Sequence, residues 1–173
     1  MKLFDVGILE GDHISPMHRE IKRSSGDWWT RCITFMDERG NIWDPRAGGI
    51  HAGNIKDYGG REIEIFRYKY PLAETQLLSW VERTVAECEG YDLLAILGFI
   101  TGEKSFQDSN RWYCSEWPYS MLQDNGYPLT RVKKAFIFPN FYHYHNDYEL
   151  IANFVIEGSL KVQPDFPEMS IPG

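Results

Sequence analysis

The segment WWTRCITFMDERGNIWDPR, residues 28–46, constrains the fold of this chain more than any other stretch. Its two flanks are rich in aromatic and β-branched residues, and the turn ERGN between them contains Gly40. That pattern predicts an antiparallel β-hairpin. The segment REIEIFRYKY, residues 61–70, alternates in hydrophobicity and predicts a further strand with Ile63 and Ile65 on one face. The chain is therefore expected to contain a sheet built around a hairpin.

Helical periodicity predicts three helices after these strands. The stretch 74–90, ETQLLSWVERTVAECEG, carries apolar residues at helical spacing, and Gly90 is placed to end it. The stretch 91–100, YDLLAILGFI, indicates a second and more buried helix. The stretch 114–128, CSEWPYSMLQDNGYP, predicts a third helix. Pro118 is tolerated there because N–H groups of a first helical turn have no intrahelical partner.

The remaining segments complete an α+β chain of one domain, residues 1–173, with a proline-rich tail from about residue 161. Residues 140–159 fit either a helix or a strand, with the helix favoured. The other assignments are a strand at 5–12, a helix at 14–27, a loop at 51–60 and a strand at 133–138.

Composition and charge narrow the classes of function. A hydrophobic fraction of 43% is enough for a buried core, and a net charge of -7 disfavours broad binding to nucleic acid or to an anionic membrane. No stretch reaches membrane-spanning length, and no signal peptide is recognised. The three cysteines form neither a zinc pattern nor a disulfide framework. We therefore expect a soluble cytoplasmic protein without a metal or another cofactor.

Cys114 lies in the aromatic segment RWYCSEWP, residues 111–118, at the start of the third predicted helix. Unpaired N–H groups and the positive end of the helix dipole favour a thiolate in that position, where nucleophilic cysteines are often found. The alternative is a small packed side chain beneath Trp112 and Trp117. Position alone leaves both interpretations open.

Four segments in a fixed order resemble the circularly permuted NlpC/P60 (papain-like) family, which includes YiiX-like proteins and relatives of lecithin retinol acyltransferase. The segments are WTRCI at 29–33, IWDPRAGGI at 42–50, YDLLAILG at 91–98 and YCSE at 113–116. The resemblance implies a permuted papain-like fold, in which a small antiparallel sheet or barrel packs against helices. Relatives of this kind are common in bacteria and their phages.

The resemblance also implies roles for individual residues. Cys114 matches the nucleophile, and Asp44 matches the polar residue that orients the catalytic histidine; without the resemblance, Asp44 is a turn-side carboxylate before Pro45. Arg31 occupies the histidine position, and arginine cannot act as a general base because it stays protonated. Arg31 is instead expected to pair with Asp44 and to lower the pKa of Cys114 to give a permanently ionised thiolate. His51 is a candidate replacement base, with an exposed loop residue as the alternative.

The other titratable side chains have less specific interpretations. Cys32 follows Arg31 directly, so strand alternation points it away from the expected site. Core packing is therefore predicted for Cys32, and a disulfide with Cys114 is disfavoured. His143 and His145 form a His–x–His pair without an obvious third ligand, and are expected to be exposed loop residues.

Two functions follow from these expectations. The first is a papain-like thiol hydrolase or acyltransferase that acts on an amide or ester, with a cell-wall peptide or an acyl-linked small group as substrate. The second is a catalytically impaired binding or scaffold protein that keeps the fold and uses Arg31 to recognise an anionic ligand. Neither function predicts a nucleic-acid partner, and the oligomeric state is left open.

Overall fold

The computed structural model of the chain describes residues 1–11, 19, 22–23, 26–92, 110–129 and 137–158. Its architecture is α+β, as the sequence predicts. The strands are β1 Val6–Glu10, β2 Trp29–Phe35, β3 Asn41–Arg46, β4 Gly49–Asn54, β5 Glu62–Tyr68, β6 Gly90–Tyr91, β7 Arg111–Trp112 and β8 Tyr148–Val155. The helices are α1 Glu74–Glu87, α2 Glu116–Asp124 and α3 Phe141–Tyr144, and a single 3₁₀ turn spans Ile55–Tyr58.

Six of these strands form one antiparallel sheet in the order β4-β3-β2-β1-β5-β8. The predicted hairpin is β2–β3, and its turn is held by Asp37, whose carboxylate accepts hydrogen bonds from the backbone N–H groups of Arg39 and Asn41. Gly40 completes the turn with a φ of 83°, a conformation that costs glycine little. The local sequence therefore determines this hairpin.

The sheet separates two buried clusters, because successive side chains of a strand point to opposite faces. On β2, Cys32 lies opposite Ile8 of β1 and Arg31 lies opposite Leu9. The helix-side core covers one face and contains Val6, Ile8, Cys32, Trp43, Phe66, Leu77, Trp80, Tyr91, Cys114, Trp117, Met121 and Tyr142, among others. The opposite core contains Leu9, Ile33, Phe35, Ile42, Ile55, Tyr58, Ile63, Ile65 and Ile156.

Three predicted elements differ from the structure. Residues 51–60 were expected to form a loop, yet His51–Asn54 belong to β4, which pairs along its whole length with β3. Helix was favoured for residues 140–159; the helix α3 occupies Phe141–Tyr144, but the longest element of this stretch is the strand β8, Tyr148–Val155, paired with β5. Tyr91, expected to start a helix, lies in β6. In each case pairing with a partner strand outweighs the local preference, and for β8 that partner lies far away in the sequence.

Several predictions lie wholly or mostly outside the described residues. They are the helix at 14–27, most of the helix at 91–100, the strand at 133–138 and the tail from about residue 161. Within the described residues, none of the helices has both the length and the apolar character needed to cross a membrane.

Candidate active site

Cys114 lies in the turn that leads into α2, one residue before Ser115 at the N-cap position. The backbone N–H of Trp117 donates to the carbonyl of Tyr113 at 3.3 Å, so helical hydrogen bonding already encloses Cys114. Ser115 anchors this turn through a short hydrogen bond from its hydroxyl to the carbonyl of Ile137. The Tyr142 hydroxyl donates to the Ser115 carbonyl at 2.9 Å, which ties the same turn to α3.

Tyr91 is the polar neighbour of Cys114. The strand β6 pairs in parallel with β7, so that Tyr91 lies beside Trp112, two residues before the cysteine. The Cys114 backbone N–H donates to the Tyr91 hydroxyl oxygen at 3.4 Å. The Tyr91 hydroxyl also hydrogen-bonds to the Cys114 side chain and favours its thiolate. One phenol thus contacts both the sulfur and the backbone N–H of Cys114.

Burial dominates the ionisation of Cys114, whose side chain is almost completely buried. Desolvation raises the pKa of the thiol, while the Tyr91 hydrogen bond, the Arg31 charge and a backbone hydrogen bond from Cys32 oppose the rise without cancelling it. Arg31 therefore acts in the expected direction, but it does not produce the permanently ionised thiolate. The resting side chain is a neutral thiol.

Arg31 and Asp44 form a buried ion pair between β2 and β3. Arg31 Nη2 lies 2.6 Å from Asp44 Oδ1, and Arg31 Nε donates to the same oxygen at 3.2 Å. The Tyr58 hydroxyl donates to Asp44 Oδ2 at 2.5 Å. Arg31 and Asp44 are each only 3% exposed, so both oxygens of a desolvated carboxylate are satisfied by fixed donors.

The guanidinium groups around this carboxylate extend the cluster. The guanidinium carbons of Arg31 and Arg61 both lie over the Tyr58 ring, at 5.6 and 5.5 Å from its centroid, respectively. Arg46 Nε approaches Asp44 Oδ2 to 3.9 Å from a partly exposed position. The predicted pairing of Arg31 with Asp44 is present, and a second cation, Arg46, approaches the same carboxylate.

Strand alternation separates this ion pair from the thiol. Strand alternation directs the side chains of Arg31 and Asp44 to the sheet face that the opposite core covers, whereas Cys114 packs in the helix-side core on the other face. The strands β2 and β3 pair at Thr34–Trp43 and Phe35–Ile42. Cys32 lies before these paired residues on β2, and a hydrogen bond from its backbone is one of the causes that lower the pKa of Cys114. Arg31 influences the thiol through its charge.

The structure overturns the reasoning that placed Cys32 away from Cys114. Alternation does separate Cys32 from Arg31, but the N-terminal turn of α2 lies on the Cys32 side of the sheet. The error lay in assuming that Cys114 shares a face with Arg31. Both Cys32 and Cys114 are free and buried, and packing of Cys32 in the core agrees with the prediction.

The histidines take other positions. His51 lies opposite Asp44 in the β3–β4 register, but its Nε2 contacts the carbonyl of Ala47 at 3.2 Å. It is not among the groups that shift the pKa of Cys114. His143 Nδ1 contacts Glu64 Oε2 at 3.1 Å, and His145, expected to be exposed, is buried beside Asp147.

The described part of the chain contains no group of three or more histidine, cysteine or acidic side chains that could hold a metal ion. A scan against protein-family models and a search of curated proteins return no match to this sequence. The chemistry of the site must therefore be argued from its own residues.

Sequence reasoning missed two members of the site. Tyr91 was noticed only as the first residue of a predicted helix and of the resembling segment YDLLAILG, and its contact with Cys114 depends on the β6–β7 pairing. Tyr58 follows Asp57 in a segment expected to be a loop, and no local pattern distinguishes it from other tyrosines. Both phenols are recognisable only once the chain is folded.

Proposed function

We propose that this chain is a papain-like thiol hydrolase or acyltransferase that acts on an amide or ester through Cys114. The observation that carries the proposal is the Cys114–Tyr91 arrangement in the turn just before α2, with the charge of Arg31 close enough to favour the thiolate. A permuted papain-like fold, with a small sheet packed against helices, is part of the same proposal. A cell-wall peptide or an acyl-linked small group is the proposed substrate class.

The acylation step uses groups already next to the sulfur. The Cys114 thiol first loses its proton to hydroxide, and the thiolate then attacks the substrate carbonyl, where a C–S bond forms and negative charge develops on the carbonyl oxygen. The adduct collapses to a thioester as the C–O bond to the leaving group breaks and the alkoxide or phenolate departs. The Cys114 backbone N–H now contacts the Tyr91 oxygen and lies in the helical turn, where it is suited to donate to that oxyanion. Tyr91 O–H is the second available donor, because its present partner, the sulfur, loses its charge on acylation.

Proton transfer is the weak part of this site. No histidine is among the described groups that act on the Cys114 thiol, and Arg31 cannot accept a proton. The loss of general acid–base assistance costs about 10²–10⁴-fold for a step that needs it. Activated esters, whose leaving group needs no protonation, are therefore the favoured substrates, and the acylation rate rises with pH instead of following a bell-shaped profile.

The proposal is tested by acylation with p-nitrophenyl acetate. We expect a burst of p-nitrophenol, followed by slow turnover, and an acetyl group on the Cys114 peptide in mass spectrometry. Cys114→Ser abolishes the burst, while Cys88→Ser, which changes a half-buried cysteine at the end of α1, retains it. An equal burst from Cys114→Ser would refute the assignment of the nucleophile.

Arg31→His tests whether residue 31 occupies the position of the base. The imidazole would retain Asp44 as a partner and gain the ability to exchange protons. We expect steady-state ester turnover to increase by about 10-fold or more, which is below the full general-base contribution because the ring starts on the opposite face of β2. Arg31→Gln is the matched control, since it removes the charge without adding a base. Equal turnover in both variants would contradict the assignment.

A binding or scaffold role is the second candidate, favoured by the Arg31–Asp44 pair. Asp44, which would otherwise orient a base, accepts two hydrogen bonds from Arg31 and one from Tyr58. If the native chain gives no burst at any pH at which it stays folded, the enzymatic proposal fails and the binding role takes its place.

A further inference from the structure

We propose that His143, oriented by Glu64, is a second reactive centre of this chain: an imidazole nucleophile that takes an acyl group from an activated ester and passes it to water. His143 lies in α3 and Glu64 on β5, so the pair joins two elements that are far apart in the sequence. The inference goes beyond the proposed function, because it does not involve Cys114.

Glu64 is a buried carboxylate that contacts two polar side chains. It is only 6% exposed and lies on the same face of β5 as Phe66, which belongs to the helix-side core. Its Oε2 lies 3.1 Å from His143 Nδ1, and the amide of Asn153 on β8 donates to its Oε1 at 3.5 Å. Each carboxylate oxygen therefore has its own partner, and the carboxylate is held in position beside the imidazole.

Two aromatic rings restrict the orientation of the His143 imidazole. The Phe66 ring meets it edge to face with the ring centroids 6.0 Å apart, and the Tyr144 ring does so at 5.0 Å. These contacts and the bond to Glu64 hold the imidazole in one orientation. A nucleophile that is already oriented loses less entropy on the way to the transition state than a freely rotating one.

The contact with Glu64 also determines which nitrogen of His143 is nucleophilic. An ionised carboxylate can only accept a hydrogen bond, so we assign the proton of the neutral ring to Nδ1 and the lone pair to Nε2. Within the described residues, the only hydrogen bond or ion pair of this ring is the one to Glu64, and the side chain is 39% exposed. Nε2 is therefore available to a reagent from solvent.

His51 provides the matched comparison within the chain. Its Nε2 lies 3.2 Å from the carbonyl of Ala47, which can only accept a hydrogen bond. The lone pair of the neutral ring is therefore assigned to Nδ1, next to the ring carbon that carries the side chain. Among the described residues, no carboxylate forms an ion pair with this ring. His51 thus lacks both features that favour attack by His143.

The transfer balances with an ester as acyl donor. The Nε2 lone pair of His143 attacks the carbonyl carbon, the C–N bond forms, and the C–O bond to the departing alkoxide or phenolate breaks. The resulting acylimidazolium keeps its Nδ1 proton, and the Glu64 carboxylate stabilises its positive charge. Water then attacks the acyl carbon, and the C–N electron pair returns to Nε2. One proton of the water stays in the carboxylic acid, and the other neutralises the alkoxide or phenolate.

The first test measures how fast diethyl pyrocarbonate, an activated acyl donor, modifies each histidine of the native chain. Peptide mass spectrometry resolves the sites, and the rates are followed with pH to their plateau, which reports the neutral imidazole alone. We expect the plateau rate of His143 to exceed those of His51 and of free N-acetylhistidine. A rate at or below that of N-acetylhistidine would overturn the proposal.

Glu64→Gln separates the effect of the carboxylate from that of exposure. The amide oxygen still accepts the hydrogen bond from Nδ1, but the charge that stabilises the acylimidazolium is removed. We expect the plateau rate of His143 to fall by about 10-fold while that of His51 stays the same. An unchanged rate at His143 in the folded variant would contradict the role of Glu64. If the variant fails to fold, the rates in the native chain decide.

Turnover distinguishes this centre from Cys114. In a Cys114→Ser chain, we expect steady hydrolysis of p-nitrophenyl acetate without a burst. Adding His143→Gln lowers that rate several-fold, whereas adding His51→Gln leaves it unchanged. Equal turnover after His143→Gln would overturn the proposal. The two proposals fail separately, because the acetyl-enzyme burst depends on Cys114 and the residual turnover depends on His143.

Discussion

The Arg31–Asp44–Tyr58 cluster and the Cys114–Tyr91 pair are both buried, yet they differ in the number of hydrogen-bond donors that surround the acidic group. The carboxylate of Asp44 accepts hydrogen bonds from Arg31 and Tyr58 at both of its oxygens. The Cys114 sulfur has fewer and weaker donors, and desolvation raises its pKa despite the nearby guanidinium. A buried group keeps its charge only when its partners replace what water supplied. The ion pair meets that condition, and the thiol does not.

The strongest test of this contrast removes the charge of Asp44. Asp44→Asn leaves the buried Arg31 guanidinium without its carboxylate, and we expect the free energy of unfolding to fall by about 3–5 kcal/mol. Urea denaturation measures the change. Glu38→Gln, at an exposed position in the β2–β3 turn, serves as the control and should leave the midpoint unchanged. A similar small effect in both variants would show that the pair contributes little.

A smaller change removes one donor from the same carboxylate. Tyr58→Phe deletes the hydroxyl that donates to Asp44 Oδ2 and keeps the ring that the Arg31 and Arg61 guanidinium groups approach. We expect a loss of about 1.5–3 kcal/mol, the range for a hydrogen bond to a charged group. The control is Tyr70→Phe, which changes a tyrosine that is 49% exposed. Equal stability of the two variants would contradict the role given to Tyr58.

The buried thiols and phenols predict how the stability of the protein depends on pH. Burial raises the pKa of Cys114 and of Cys32, and of the phenols Tyr91, Tyr142 and Tyr148, above their ordinary values. For groups shifted in this direction, the stabilising contribution is complete below the unfolded pKa and is lost as the pH rises through the folded pKa. Stability that depends on these groups should therefore fall at alkaline pH.

Urea denaturation at successive pH values measures this loss. We expect these groups to cause no loss near neutral pH, and above the ordinary thiol value of 9.0 a decline approaching about 1.4 kcal/mol per pH unit for each proton released on unfolding. Tyrosinate absorbance separates the phenol contribution from that of the thiols. A stability that increases above pH 9.0 would mean that the buried thiols and phenols are ionised in the folded state.

Local sequence predicted those parts of the molecule that local interactions determine. The hairpin β2–β3 has its own turn residues, and α1 and α2 have their own periodicity, so each was recognised. The strand β8 was not, because its conformation depends on β5, some eighty residues earlier in the chain. Pairing across such a separation leaves no periodic signal in the strand itself.

In the candidate site, too, the features set by local sequence were predicted and those set by distant parts of the chain were not. The pairing of Arg31 with Asp44 followed from a hairpin that the sequence predicts. The sheet face on which Cys114 packs could not be predicted from the hairpin, because the chain between β3 and α2 determines where the turn that contains Cys114 lies. The contact with Tyr91 likewise depends on a two-residue parallel pairing. The direction of the Arg31 effect was foreseeable, but the larger effect of desolvation required the burial of Cys114 to be known.

The most direct test of the central claim is the rate at which iodoacetamide alkylates Cys114 as a function of pH. Peptide mass spectrometry resolves the three cysteines of the native chain, so no substitution is needed. We predict that the Cys114 rate is low at neutral pH and still rising at pH 9.0, the ordinary value for a thiol, because the resting side chain is neutral. A rate that is already at its maximum at neutral pH would show that Arg31 and Tyr91 overcome burial and would contradict the account.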